Sequence, residues 1–185
     1  MRTSDKGVAA LALHEGVVPA PYLDSVGVWT YGVGHTAAAG GPNPADMPRG
    51  MPDDLDAALA RVFAVFRADL AKFEDRVKRA VKVPVAPHEN DALVSFDYNT
   101  GGIFVAKLTK YLNAGNRKAA AAAFMGWRRP PEIIPRRKSE RGLFKTGTYP
   151  TGLIPVWGVN ESGRVDFSAP VKTLTADDVI KALAA

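Results

Sequence analysis

The segment HEGVVPAPYLDSVGVWTYGVGHT, residues 14–36, decides the fold of this chain. The residues before it repeat apolar side chains at helical spacing, which predicts a short helix that ends at Gly16. Glu15 continues the apolar stripe, so the pattern places an acidic side chain on the buried face of the helix end. Pro19 and Pro21 exclude further helix, and the β-branched and aromatic residues that follow predict a tight hairpin.

Glu15 and Asp24 are two carboxylates that this local structure places in different surroundings. Apolar neighbours disfavour the charged form of Glu15, as does the negative end of the helix dipole. Asp24 follows the first strand in a polar turn, so we expect it to stay ionised. Contrasting carboxylates are typical of glycoside hydrolysis, in which one protonates the leaving oxygen and the other activates water or attacks. Spacing alone also allows a solvent-facing Glu15 and an Asp24 that only stabilises a turn.

Other polar residues nearby have structural explanations. Thr30 is an ordinary strand residue, and Gly32 to Gly34 lacks the full glycine fingerprint of a phosphate-binding loop. His35 is predicted to be a structural histidine, with Asp69 on the next helix as its partner. Because the other two histidines lie far away without ligand spacing, no metal site is predicted.

Composition limits the classes of protein to consider. The chain has 185 residues, 46% of them apolar, which is enough for a substantial core. Its formal charge of +5 indicates an anionic partner, such as nucleic acid, a membrane surface or a polyanionic wall polymer. The lack of cysteine excludes a disulfide framework and cysteine-based zinc or redox sites. No signal peptide or transmembrane segment is recognised, so we expect the chain to accumulate where it is made.

The rest of the chain predicts mainly helices. A glycine- and proline-rich loop is predicted for residues 37–52, followed by a long helix from Pro52 to about Lys82, either continuous or broken in two. Shorter helices are predicted near 87–98, 105–113, 117–127 and 136–144, and their short connections favour a packed bundle. A second hairpin within 153–167 and a capped terminal helix from Thr175 complete the pattern.

The spacing of Glu15, Asp24 and Thr30 in this setting resembles the active-site signature of the phage-type lysozymes, the endolysin muramidases. Three more motifs match in the family's order: NDALVSFDYNTG at 90–101, LNAG at 112–115 and IPRRKSERGLF at 134–144. The resemblance implies an α+β, lysozyme-like fold in which a small β-hairpin lobe is joined by the long helix to a mostly α-helical lobe. The single domain, 1–185, would divide into a catalytic lobe 1–51, a helical lobe 52–145 and an extension 146–185.

The resemblance also implies a reaction, hydrolysis of the β-1,4 bond between N-acetylmuramic acid and N-acetylglucosamine in bacterial peptidoglycan. Glu15 would protonate the glycosidic oxygen while Asp24 and Thr30 hold a water on the opposite face of the sugar, which inverts the anomeric centre. If Asp24 were instead the nucleophile, configuration would be retained, and sequence spacing does not distinguish the two. No cofactor is required.

Four residues are expected to contact the substrate: Tyr22, Gly34, Asn99 and Arg137. Asn99 is equally explained as part of a helix C-cap. Arg137 belongs to a cationic run, which is usually a solvated helix face and in nucleic-acid-binding proteins contacts phosphate. Near the cleft it would tune Glu15 or meet substrate carboxylates.

The implied partner is bacterial peptidoglycan, with a holin giving access to the wall, and no nucleic acid is expected. The protein is expected to be monomeric, held in the host cytoplasm until it is released to the wall in the periplasm. Alternatives are a lytic transglycosylase, a basic nucleic-acid-binding protein and a catalytically silent wall-binding module. The extension is expected to pack on the helical lobe or to add a wall-contacting surface through Trp157.

Overall fold

The computed structural model describes residues 1–185 and confirms the mixed α+β class. The helices are α1 (Asp5–Glu15), α2 (Leu55–Ala80), α3 (Pro87–Thr100), α4 (Lys107–Asn113), α5 (Arg117–Ala123), α6 (Ile134–Thr146) and α7 (Ala176–Ala184). The strands are β1 (Val18–Leu23), β2 (Trp29–Gly32), β3 (His35–Thr36), β4 (Ile154–Val156), β5 (Gly158–Val159), β6 (Val165–Asp166) and β7 (Lys172–Leu174). None of the helices combines the length and apolar character needed to cross a bilayer.

The chain forms two compact units, one of residues 1–7 and 70–150 and the other of residues 8–69 and 151–185. These bounds differ from the predicted 1–51, 52–145 and 146–185 because α1 and α2 each contribute residues to both units. We call the first the helical unit and the second the hairpin unit. The three residues expected to carry the chemistry, Glu15, Asp24 and Thr30, all belong to the hairpin unit.

Local capping fixes the ends of the elements in the helical unit. Ser4 caps α1, since its hydroxyl oxygen accepts a hydrogen bond of 3.0 Å from the Gly7 N–H. Gly101 ends α3, with a left-handed φ of 60° and a bond from its N–H to the Asp97 carbonyl. Helix α3 packs against α6 and α4 against α5, around a core that includes the completely buried Phe96.

Helix α2 is continuous, which decides between the two predicted forms. It begins at Leu55 rather than Pro52, because the Asp54 carboxylate accepts a 2.9 Å bond from the Ala57 N–H and caps the helix there. Its first half belongs to the hairpin unit, where the completely buried Phe63 contributes to the core.

A three-stranded antiparallel sheet of β1, β2 and β3 lies at the centre of the hairpin unit. Tyr22 pairs with Thr30 and Leu23 with Trp29, while Tyr31 pairs with His35 across the second, tighter turn. The predicted hairpin is therefore present, with a short third strand added to it.

The C-terminal extension folds as part of the hairpin unit. The predicted hairpin forms only between β5 and β6, whereas β4 pairs with the later strand β7. Thr175 and Asp178 form the predicted capping box of α7. The extension packs on the first half of α2, where Lys172 pairs with Asp56, and also on the catalytic hairpin. The extension thus contacts part of the predicted helical lobe, residues 52–145, through α2, and it contacts the hairpin as well.

Candidate active site

Glu15 is the last residue of α1, and its side chain is exposed. The predicted buried stripe is correct for Val8, Leu11 and Ala12, each 0% exposed, but it ends one turn before the carboxylate. Gly16 then adopts a left-handed φ of 75° and turns the chain toward β1, so no further helical turn covers Glu15. The prediction that this acid lies on the buried face is wrong, because the packed surface stops with the helix.

Asp24 organises the turn between β1 and β2. Its Oδ1 accepts hydrogen bonds from the N–H groups of Val26, at 2.9 Å, and Val28, at 2.8 Å. Its own backbone N–H donates to the Val28 carbonyl, and its carbonyl accepts from the Gly27 N–H. One carboxylate oxygen is thus used to hold the turn, and the other is not needed for it. Asp24 can therefore hold the turn with one carboxylate oxygen and accept a hydrogen bond from a water molecule with the other.

Thr30 and Tyr22 lie opposite each other on the two strands of this hairpin, so their side chains emerge on the same face. Asp24 lies two residues beyond Tyr22, directly after the end of β1 and at the start of the turn. The Thr30 hydroxyl donates a 3.1 Å hydrogen bond to the Val28 carbonyl, and the residue is 3% exposed. The hydroxyl oxygen keeps its capacity to accept a further hydrogen bond.

Tyr22 connects the two candidate acids electrostatically. The pKa of Tyr22 is raised from 10.0 to about 12, first by burial and then by the negative charges of Asp24 and Glu15. Such interactions weaken with distance and are screened by solvent. The electrostatic surroundings of Tyr22 therefore include both candidate acids, which belong to the same unit.

His35 and Asp69 form the predicted structural pair. His35 is 1% exposed, and its Nδ1 lies 3.0 and 2.9 Å from the two carboxylate oxygens of Asp69. The other ring nitrogen, Nε2, donates a 2.7 Å hydrogen bond to the Pro42 carbonyl. These contacts fasten β3 to α2 and to the loop that follows the sheet. Gly34, at the turn between β2 and β3, is exposed with a left-handed φ of 77°.

Asn99 and Arg137 belong to the helical unit. Arg137 is 0% exposed and forms a 2.8 Å ion pair with Glu140, so its guanidinium has no surface with which to touch a substrate. Its Nη2 donates a 2.6 Å hydrogen bond to Oδ1 of the exposed Asn99. Because arginine has only donors, this bond uses the Asn99 carbonyl oxygen and does not engage its amide N–H groups. The Arg137 guanidinium is thus buried within the helical unit, while the Asn99 side chain is exposed.

The cationic run around Arg137 is not the solvated helix face that such runs usually form. Arg136 is 7% exposed, and its Nε lies 3.1 Å from Oε1 of Glu140, which also accepts a bond from the Ser95 hydroxyl. Burial raises the pKa of Glu140, and the charges of the two arginines oppose that shift. Only Lys138, among the three consecutive basic residues, has an exposed side chain.

The extension holds the catalytic segment directly after Glu15. The Val17 N–H donates a 3.0 Å hydrogen bond to the Pro155 carbonyl, and the Val17 carbonyl accepts a 2.8 Å bond from the Trp157 N–H. The Trp157 ring covers Gly16 so closely that a Cβ there would lie 2.9 Å from its Nε1. Trp157 therefore packs against the end of α1.

A second contact holds the segment directly before Asp24. The Leu23 N–H donates a 2.8 Å hydrogen bond to the carbonyl of Gly163, in the turn between β5 and β6. Trp29 packs on Gly163, where a Cβ would lie 2.5 Å from its Cζ3. Sequence reasoning missed this contact. The residues 160–163 indicated a turn, but nothing in the pattern indicated what the turn would meet.

Comparison with known proteins agrees with this arrangement. The phage lysozyme family model matches residues 12–144, which includes Glu15, Asp24 and Thr30. The chain belongs to the phage lysozyme family. It is therefore a lysozyme, a hydrolase of peptidoglycan. Residues 145–185, including both contacts of the extension, lie outside the match.

Individual relatives of this lysozyme are similar to it over about four fifths of its length. It is 33% identical to the endolysin of Salmonella phage P22 over 150 residues, which cover 78% of this chain and 98% of the relative. An endolysin structure from Escherichia coli O157:H7 phage FAHEc1 matches with a TM-score of 0.67 at 30% identity, over 81% of this chain and 97% of that one. The muramidase domain of SpmX from Asticaccaulis excentricus matches with a TM-score of 0.62 at 28% identity, over 78% and 98%. These matches confirm the lysozyme-like fold.

Proposed function

We propose that this lysozyme is an endolysin that cleaves the β-1,4 bond between N-acetylmuramic acid and N-acetylglucosamine. The observation that carries the proposal is the shared environment of Tyr22, whose phenol responds to the charges of both Glu15 and Asp24. Two carboxylates near one point are what glycoside hydrolysis requires. The names of two similar proteins, an endolysin and a muramidase domain, support the same bond.

In the proposed mechanism Glu15 is the general acid. Its carboxylic acid protonates the glycosidic oxygen as the bond to the anomeric carbon breaks, and positive charge develops on the sugar ring. Its exposure leaves the carboxyl group accessible to a polymeric substrate. Because the preceding turns of α1 are buried at Val8, Leu11 and Ala12, the helix that carries Glu15 is firmly held.

Asp24 and Thr30 position the attacking water. Hydrogen bonds from Val26 and Val28 fix one oxygen of the Asp24 carboxylate, and the second oxygen accepts a bond from the water. The Thr30 hydroxyl supplies a second contact on the same face of the hairpin. Water delivered from the face opposite Glu15 inverts the anomeric centre, which requires the carboxyl groups to be roughly 6.5–9.5 Å apart.

The remaining residues have supporting roles in this proposal. Tyr22 and Gly34 contact the sugar from the hairpin unit, and Asn99 donates from its amide to an acceptor on the substrate. Arg137 acts through Asn99, as a positioning residue. The His35–Asp69 pair maintains the sheet that carries Thr30.

We also propose how the enzyme meets its substrate. The monomer is held in the host cytoplasm until a holin opens the route to the wall in the periplasm, and lysis then releases the phage. The charge of +5 steers the protein toward the carboxylates of peptidoglycan rather than toward nucleic acid. Wall binding that did not weaken with added salt would contradict this steering.

One experiment tests the proposed chemistry. Purified peptidoglycan is incubated with the native protein, with Glu15→Gln and with Glu132→Gln, a matched change at an exposed glutamate outside the hairpin unit. We expect Glu15→Gln to lower the rate by about 10²–10⁴-fold, the usual contribution of a general acid, and Glu132→Gln to be active. Mass spectrometry should show muropeptides that have gained water. Anhydro products would indicate a transglycosylase, and lysis by Glu15→Gln would contradict the assignment of the acid.

A further inference from the structure

The turn between β5 and β6 and the catalytic hairpin form the two sides of one groove within the hairpin unit. Tyr22 and Asp24 line one side, and Ser162, Arg164 and Phe167 line the other. The groove has a volume of about 630 Å³, which is large enough for a sugar ring with its substituents. The side formed by Ser162, Arg164 and Phe167 belongs to the extension and lies outside the residues matched by the phage lysozyme family model.

Both sides of the groove are firmly held. The Leu23 to Gly163 hydrogen bond joins them through the backbone. A small apolar core of Val18, Ala20 and Val159 lies beneath, with Tyr22, Trp157 and Val165 packed against it. In the turn itself, Oδ1 of Asn160 accepts bonds from the backbone N–H groups of Ser162 and Arg164. The groove is therefore pre-formed rather than dependent on a ligand.

Phe167 presents an uncovered aromatic ring at this groove. Its side chain is 67% exposed, and its ring contacts Trp157 at a centroid distance of 5.4 Å and an interplanar angle of 68°. This edge contact leaves much of the ring available. Aromatic rings bind the C–H faces of sugars because both surfaces are apolar and flat, so Phe167 can hold a pyranose ring in the groove.

Arg164 places a positive charge without a side-chain partner in the same groove. The residue is exposed, and its guanidinium forms no ion pair or hydrogen bond with another side chain in the structure, although its backbone N–H is fixed by Asn160. The planar guanidinium matches a carboxylate, with which it forms two parallel hydrogen bonds. A ligand that stacks on Phe167 and pairs with Arg164 would therefore contain both a sugar ring and a carboxylate.

We propose that this groove is an additional substrate subsite, which binds a carboxylate-bearing sugar of the glycan strand beside Asp24. Phe167 stacks on the ring, and Arg164 pairs with the carboxylate carried by the sugar or its peptide stem. The inference rests on the proposed function, because it assigns the ligand of the groove from the polymer that the active site cleaves. The extension thereby lengthens the substrate-binding surface beyond that of the family core.

The test compares soluble peptidoglycan fragments that carry free carboxylates with the same fragments after chemical amidation. We expect Arg164→Ala to raise KM about tenfold on the acidic fragments and to have little effect on the amidated ones. Phe167→Ala and Phe167→Leu should raise KM on both by about fivefold to tenfold, since either change removes the aromatic face. Lys181→Ala and Leu153→Ala, at exposed positions of the extension away from the groove, should match the native protein.

A binding measurement separates failure of this inference from failure of the proposed function. Glu15→Gln keeps the groove, so calorimetry on this variant with and without Arg164→Ala reports binding independently of cleavage. If the native protein cleaves no fragment but binding still depends on Arg164 and Phe167, the subsite stands and the proposed function fails. If cleavage occurs and the groove variants equal the controls in KM and affinity, the subsite is overturned. Equal losses for Arg164→Ala on acidic and amidated fragments would overturn the carboxylate assignment.

Discussion

Gly163 joins the extension to the catalytic hairpin, and replacing it with alanine should disturb both. Its φ of +79° is costly for a residue with a side chain, by about 1–2 kcal/mol. The added Cβ would also lie 2.5 Å from Cζ3 and 2.6 Å from Cη2 of the Trp29 ring. A ring packed against a hairpin must then shift, and overpacking of this kind costs about 1–3 kcal/mol. We therefore expect Gly163→Ala to lower the free energy of unfolding by about 2–5 kcal/mol.

Gly115→Ala is the matched control. Gly115 has nearly the same φ, +77°, but no atom lies within 4 Å of the position of its Cβ. Only the backbone cost applies, so we expect a loss of about 1–2 kcal/mol. Urea unfolding measures both variants against the native protein. If the two variants lose the same stability, the close packing of the extension on the catalytic hairpin is refuted.

The same pair of variants separates stability from activity. Because the Gly163 carbonyl accepts a hydrogen bond from Leu23, next to Asp24, displacement of the turn should also misplace the candidate water-binding carboxylate. At a temperature where both variants are folded, Gly163→Ala should hydrolyse peptidoglycan more slowly than Gly115→Ala. Equal rates would mean that the contact stabilises the fold without positioning Asp24.

Four further predictions concern titration and buried pairs. Glu15→Gln should lower the pKa of Tyr22 from about 12 toward its ordinary value, because one of the charges that raise it is removed, and NMR titration of the tyrosine measures this. The pKa of Tyr22 in the folded protein lies above the unfolded value of 10.0, so the unfolded chain loses its phenol proton at lower pH. The free energy of unfolding should therefore fall as pH rises from about 10 to 12. Tyr22→Phe should remove this pH-dependent fall, which urea unfolding measures. Asp69→Asn should destabilise the protein by about 1–3 kcal/mol through the bond to His35, and an unchanged urea midpoint would contradict the pair. Arg137→Met should cost about 3–5 kcal/mol because it leaves a buried carboxylate with one partner fewer, and a smaller thermal shift than that of Asp69→Asn would contradict this.

Local signals predicted much of the fold because local contacts produce it. Ser4 begins α1 with its own hydroxyl, Gly101 ends α3 in a left-handed conformation, and the capping box of Thr175 starts α7. Each depends on residues within four positions along the chain. The start of α2 differs from the predicted one for the same kind of reason, because the Asp54 carboxylate caps the helix and it begins at the next residue, Leu55.

The errors arise where distant parts of the chain decide the outcome. Glu15 continues a helical apolar pattern, but burial depends on how distant segments pack around the helix end, and the Glu15 side chain is exposed. The burial of Arg137 was not predicted because the sequence does not show that Glu140 and Asn99 come close enough to pair with its guanidinium. The pairing of β4 with β7, rather than with its neighbour, likewise depends on surfaces that no local pattern describes.

The grouping of the candidate site residues was predictable from local spacing, while their catalytic roles stay predictions and their surroundings were less predictable. The spacing of Glu15, Asp24 and Thr30 placed all three within one hairpin unit, and the His35–Asp69 pair was predicted correctly. The extension was predicted as elements but not as part of the catalytic unit.

The anomeric configuration of the fresh product tests the central claim most directly, that Asp24 and Thr30 hold a water on the sugar face opposite Glu15. A soluble glycan fragment is mixed with the native protein, and proton NMR follows the new reducing end during the first minutes, before the anomers equilibrate. Direct attack of water on a β-linkage predicts that the α-anomer appears first. The β-anomer appearing first would contradict the account, because it would require Asp24 to act as a nucleophile instead of a water-holding base.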